Sequence, residues 1–122
     1  MASNKTFTFV TALTNTYTTN IFNPGTVTGG VNSGSGDNLF AIVKHIRIVN
    51  KTGGAVTFRL FRGATGANAA GTEIVGYDVS IAANSYIDWY GQMRFSVADF
   101  LVGGASAATS LTITVEGEIG IQ

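Results

Sequence analysis

"FAIVKHIRIVN", residues 40–50, decides the fold. Alternate positions place Ile42, Lys44, Ile46 and Ile48 on one side and Val43, His45, Arg47 and Val49 on the other, a period of two in a β-branched background. The segment is expected to be a strand. It stops at "NKTGGA", where consecutive glycines permit a turn, and alternation resumes with Val56, Phe58 and Leu60 against Thr57, Arg59 and Phe61. Together the two segments predict a β-hairpin.

The same reading extends towards the C-terminus. "GATGANAAGT", 63–72, carries only small side chains and is expected as a loop, followed by a strand around Ile74 to Ile81 and the turn "AANS", where Asn84 can bond to local backbone. Strands are then expected at Tyr86 to Tyr90 and Met93 to Val97, with "ADF" as a bend and "VGGASAATS" as a second small-residue loop. In "LTITVEGEIGIQ", Leu111, Ile113, Val115, Ile119 and Ile121 oppose Thr112, Thr114, Glu116 and Glu118, as in a sheet with one buried face. In "SIAANSYIDWYG", 80–91, Ile87 and Trp89 share a face and Trp89 is expected in the core, its ring burying about 200 Å². Tyr86, Asp88 and Tyr90 fall on the outward face.

Residues 1–39 are rich in Thr, Asn, Ser and Gly. "KTFTFV" and "TYTTNIF" read as strands and 23–39 as a long flexible connection. The region is either surface loop or an arm that orders against a neighbouring subunit, losing its conformational entropy on binding. Its bounds, 1–39 and then 40–122, divide what is otherwise one domain, as 122 residues allow. About eight short strands with intervening turn signals predict an all-β antiparallel sandwich or jelly roll with a flexible N-terminal arm.

Charge is scarce: 11% of residues are ionic, against about 25% in typical domains, and seven basic and seven acidic side chains cancel. Lys44, Arg47, Lys51, Arg59 and Arg62 are the nearest approach to a basic stripe, but in a neutral chain they read as solvated sheet positions, so no nucleic-acid partner is expected. A surface without net charge lacks the usual protection against self-association. Coverage by partners is therefore expected. Without Cys there is no disulfide framework, and neither a leader-like h-region nor a membrane-length apolar run is visible. Synthesis in a cytoplasm is expected, with no membrane partner.

No catalytic constellation stands out, and no enzyme is expected. His45 is the sole histidine, and with Arg47 beside it on the strand face it is expected to be uncharged and structural. Zinc would require several converging His, Cys or acidic ligands. Asp37 and Asn38 in "GSGDN" make a poor calcium site, and Glu116 and Glu118, about 7 Å apart on one strand face, read as solvated rather than as a glycosidase pair. No cofactor is expected.

"KHIRIVNKTGGAVTFRLFRGATGANAAGTEI", then "SIAANSYIDWYGQMRFSVADFLVGG", then "SLTITVEGEI", covering roughly residues 40–119, resemble in order and kind small tailed-bacteriophage virion proteins of the head decoration, or cement, type. The resemblance implies a β-sandwich or jelly roll that sits on the outside of an assembled capsid as a homotrimer and bridges major capsid protein subunits in the virion. Residues 5–22, represented by Lys5, Phe7, Phe9, Tyr17, Ile21 and Phe22, are the first candidates for partner binding through strand pairing. Tyr86, Asp88 and Tyr90 are the second. The same three residues support an alternative, a carbohydrate-binding module of a phage tail or fibre, with the rings stacking on sugar and Asp88 accepting from its hydroxyls.

Overall fold

The computed structural model describes residues 5–26, 39–66 and 68–121. Among these residues the strands are β1 (Lys5–Ala12), β2 (Asn20–Phe22), β3 (Leu39–Asn50), β4 (Val56–Gly63), β5 (Glu73–Ile81), β6 (Tyr86–Ser96), β7 (Phe100–Ala105) and β8 (Leu111–Ile121), with a 3-10 turn at Pro24–Thr26. They form two four-stranded sheets in the orders β1-β8-β3-β6 and β2-β7-β4-β5, and every pairing is antiparallel. Of these pairs, β4 with β5, β3 with β6, β2 with β7 and β1 with β8 form one ribbon rolled over on itself. That is the path of a jelly roll.

The core lies between the sheets. Ala41, Val43, Ile46, Ile48, Phe95, Ile113, Val115 and Ile119 from the first sheet meet Phe22, Val56, Phe58, Leu60, Ile81 and Leu101 from the second. Phe22 stacks on Phe7 at 5.3 Å between ring centroids and receives the Phe95 ring edge-on at 5.6 Å. Strands β1 and β2 thus supply aromatic contacts across the interior, and residues 5–12 and 20–22 belong to the two sheets instead of forming an arm. The expected connection at 23–39 lies mostly outside the described residues, as do Asp37 and Asn38.

Two further differences have physical causes. The segments 86–90 and 93–97 are one strand, β6, bent at a bulge. The supposed loop at "VGGASAATS" begins as β7, an interior strand between β2 and β4. Its glycines are buried because backbone presses against both of them: a Cβ on Gly103 would overlap the Arg59 carbonyl, and one on Gly104 the Thr14 and Thr16 carbonyls. Small residues here mark close approach. The turn after β3 forms, but it carries the chain from the first sheet to the second, so β3 and β4 are not the expected hairpin. At the next turn Asn84 adopts φ 55°, donates its amide to Thr52 O at 3.0 Å, and lies beside Ser85, whose amide reaches Ala82 O. Buried Asn50 ties the β3–β4 turn to this one, its side-chain amide donating to Gly54 O and Ile81 O at 2.9 Å each.

Candidate functional site

The outer face of the first sheet is arranged by an irregularity in β3. Between the pairs Val43–Met93 and His45–Tyr90, β3 advances two residues and β6 three; over the same span β8 advances only from Gly117 to Glu116. This bulge reverses the alternation. Leu39, Ala41 and Val43 point inward before it, Ile46, Ile48 and Asn50 after it, and Lys44 and His45 are both left outside the core. The expected grouping of Ile42 and Lys44 with Ile46 and Ile48 is therefore wrong for the first half of the strand. Gly117 makes the bulge possible, because a Cβ there would overlap the Ile42 carbonyl.

Lys44 and His45 come to lie against the two glutamates of β8. Lys44 pairs with Glu118. His45 Nδ1 lies 2.8 Å from Glu116 Oε1 and its Nε2 2.7 Å from Asp88 Oδ1. Carboxylates only accept, so an imidazolium with a proton on each nitrogen satisfies both contacts. The Asp88 hydrogen bond is the main cause of a pKa raised above 6.5, assisted by Glu116 and opposed by desolvation. The expectation of an uncharged His45 is thereby reversed: adjacent carboxylates outweigh Arg47.

Asp88 is the hub. Its Oδ1 accepts from His45 and, at 2.7 Å, from Arg47 Nε; its Oδ2 accepts from Arg47 Nη2 at 3.1 Å. The Arg47 bonds, then the His45 bond, hold its pKa at about 2. With its side chain only 18% exposed and both oxygens occupied, Asp88 is a strut. The tyrosines rest on this lattice: Tyr90 stacks on His45 at 4.6 Å with rings 14° apart, and the Arg47 guanidinium lies 4.6 Å from the Tyr86 ring centroid. Both remain open to solvent, Tyr90 at 70% and Tyr86 at 54%. His45 also borders a shallow depression of about 420 Å³, together with Thr6, Thr8, Lys44, Glu116 and Glu118.

The second sheet repeats the motif. Arg59 forms a two-pronged pair with Asp78, at 2.6 and 3.1 Å, and lies between the rings of Tyr17 and Tyr77 at 4.3 and 4.4 Å. The Arg59 hydrogen bond lowers the Asp78 pKa. Tyr77 and Asp78 carried no signal in the sequence, because their meeting with Arg59 depends on the β4–β5 register, which is not written locally. Lys44, Arg47, Arg59 and Arg62, read as solvated cations, are each ion-paired to a carboxylate.

The remaining candidates separate. Phe7, Ile21 and Phe22 are buried in the core, with the Phe7 and Phe22 rings stacked on each other. Phe9 is half-buried against Phe22, Lys5 is exposed at the start of β1, and Tyr17 is half-buried on Arg59. Trp89 is only partly buried, because β6 is an edge strand; it packs against the core margin without anchoring both sheets. Among the described residues no group of three or more His, Cys, Asp or Glu is placed to hold a metal ion, and no helix is long and apolar enough to cross a membrane.

No protein-family model and no curated protein sequence matches the chain. Among solved structures, a chain from a structure of infectious bursal disease virus, Gx strain, is similar with a TM-score of 0.34 and 8% identity; the match covers 98% of this chain and 26% of that one. This chain therefore spans about a quarter of the length of that viral chain.

Proposed function

We propose that this chain is a structural, non-enzymatic virion protein that binds the outside of a phage capsid and stabilises it by bridging major capsid protein subunits. The resemblance of residues 40–119 to decoration proteins motivates the reading. The observation that carries it is the pair of exposed tyrosines, Tyr86 and Tyr90, braced on the Arg47–Asp88–His45 lattice. Tyrosine and arginine dominate protein interfaces, and aromatics already held in place lose little rotamer freedom on docking. Repetition over a symmetric shell multiplies weak contacts through effective concentration. Neutral net charge allows close approach to a lattice of either sign.

The sugar-binding alternative is less well supported, since Asp88 is committed to Arg47 and His45 and one face of Tyr90 is covered by His45. Changing Tyr86 and Tyr90 together to Ala tests the reading. Both side chains are exposed, so circular dichroism should be unchanged, while binding to capsids of the matching phage weakens at least about tenfold and the heat resistance conferred on them falls. Unchanged binding would count against this face.

A further inference from the structure

Natural sheets protect their edges, since an unpaired row of backbone donors and acceptors is a template for another chain. Three of the four edge strands here are protected. β5 has two register shifts and two residues at positive φ, Val75 and Asp78. β6 carries the bulge beside Tyr90, and β2 is three residues long with a register shift of its own. β1 differs: eight residues, "KTFTFVTA", pair with β8 in unbroken register without Gly, Pro or an internal charge. Thr6 and Thr8 are exposed on its outward face, as is Val10 at 56%. Among the described residues nothing pairs along its other side.

We propose that β1 pairs antiparallel with β1 of a second copy of this chain, with Thr8 on the two-fold axis, joining two four-stranded sheets into one of eight. Antiparallel partners must point to the same face, which restricts the registers to those keeping Phe7 and Phe9 inward and Thr6, Thr8 and Val10 outward. Thr8 opposite itself sets Phe7 against the other copy's Phe9 twice, and Thr6 against Val10 twice. Centring on Phe9 would give one aromatic pair, so the Thr8 register is favoured. Lys5, the only charge on the strand, falls opposite Thr11. The two lysines are then about 20 Å apart along the ribbon, beyond the screening length of about 8 Å at physiological salt. Such a contact is self-complementary, and two copies of a chain with zero net charge do not repel. This goes beyond the capsid-binding reading and does not rest on it; a two-fold pair is also distinct from the trimer that the resemblance implies.

Sedimentation equilibrium of the full chain tests it. The mass should rise with concentration from 12.7 kDa towards twice that value. Thr8→Lys, at an exposed position, should leave circular dichroism unchanged and weaken the dimer at least about tenfold, by setting like charges directly opposite each other. The native chain has no cysteine, so Thr8→Cys should oxidise to a covalent dimer far faster than a Lys51→Cys control in the exposed β3–β4 turn. A monomeric mass at every concentration, a trimeric mass, or equal crosslinking of the two cysteine variants would overturn the proposal. So would a Thr8→Lys chain that loses capsid binding while the parent remains monomeric, since the edge would then receive another protein's strand. Capsid binding measured separately with the tyrosine variant keeps the two readings apart.

Discussion

His45 shows how far one side chain's chemistry depends on its register. Placed outside by the bulge, it is held between Asp88 and Glu116 and favoured as a cation. A folded pKa above 6.5 means that its contribution to stability is complete below 6.5 and is lost as pH rises through the folded value. Asp88 acts in the opposite sense: its contribution is present above 3.8 and disappears as pH falls through about 2. Urea titrations of the parent between about pH 5.5 and 8.5 should therefore show stability falling as pH rises, while His45→Gln, neutral throughout, should show little of that slope. The chain has one histidine, so a single imidazole resonance reports the pKa directly. A midpoint at or below 6.5 would contradict the clasp.

At the level of strands, the bulge in β3 and Gly117 opposite it form one device. Gly117→Ala should force the Ile42 carbonyl to move, at a cost of about 1–3 kcal/mol by analogy with overpacked cores, and should return the His45 titration towards 6.5 as Lys44 and His45 lose their positions against β8. Equilibrium unfolding and the imidazole resonance measure the two effects; a loss below about 0.5 kcal/mol with an unchanged titration would mean that the bulge adapts freely. The alternation of β8 and the Asn84 turn were legible because each depends on neighbouring residues, whereas the expected hairpin was not, because which sheet β4 joins is decided by its pairing with the distant β5 and β7. The bulge was not, since one extra residue leaves no mark in composition and its enabling glycine lies about seventy positions away in the chain. β7 was misread for a related reason: Gly103 and Gly104 are small because backbone crowds them, and the crowding segments are distant in sequence.

Across the whole molecule, the all-β sandwich was legible from periodicity, and the jelly-roll order follows once each strand has its partner. The N-terminal residues were not, because "KTFTFV" and "NIF" look equally suited to an arm or a sheet until Phe7 and Phe22 are seen stacked in the core. The candidate surface was half legible: alternation placed Tyr86, Asp88 and Tyr90 on one face, but the conversion of Asp88 into a brace for both rings needed the register of β3. The tyrosines thus become fixed anchors, and what they meet decides the role of this face. An electron cryomicroscopy map of matching capsids with this chain added is the most direct measurement. Density is expected on the outer shell with the Tyr86 and Tyr90 face of the first sheet against major capsid protein; bare shells, or bound copies with Tyr90 turned to solvent, would contradict the capsid-binding role.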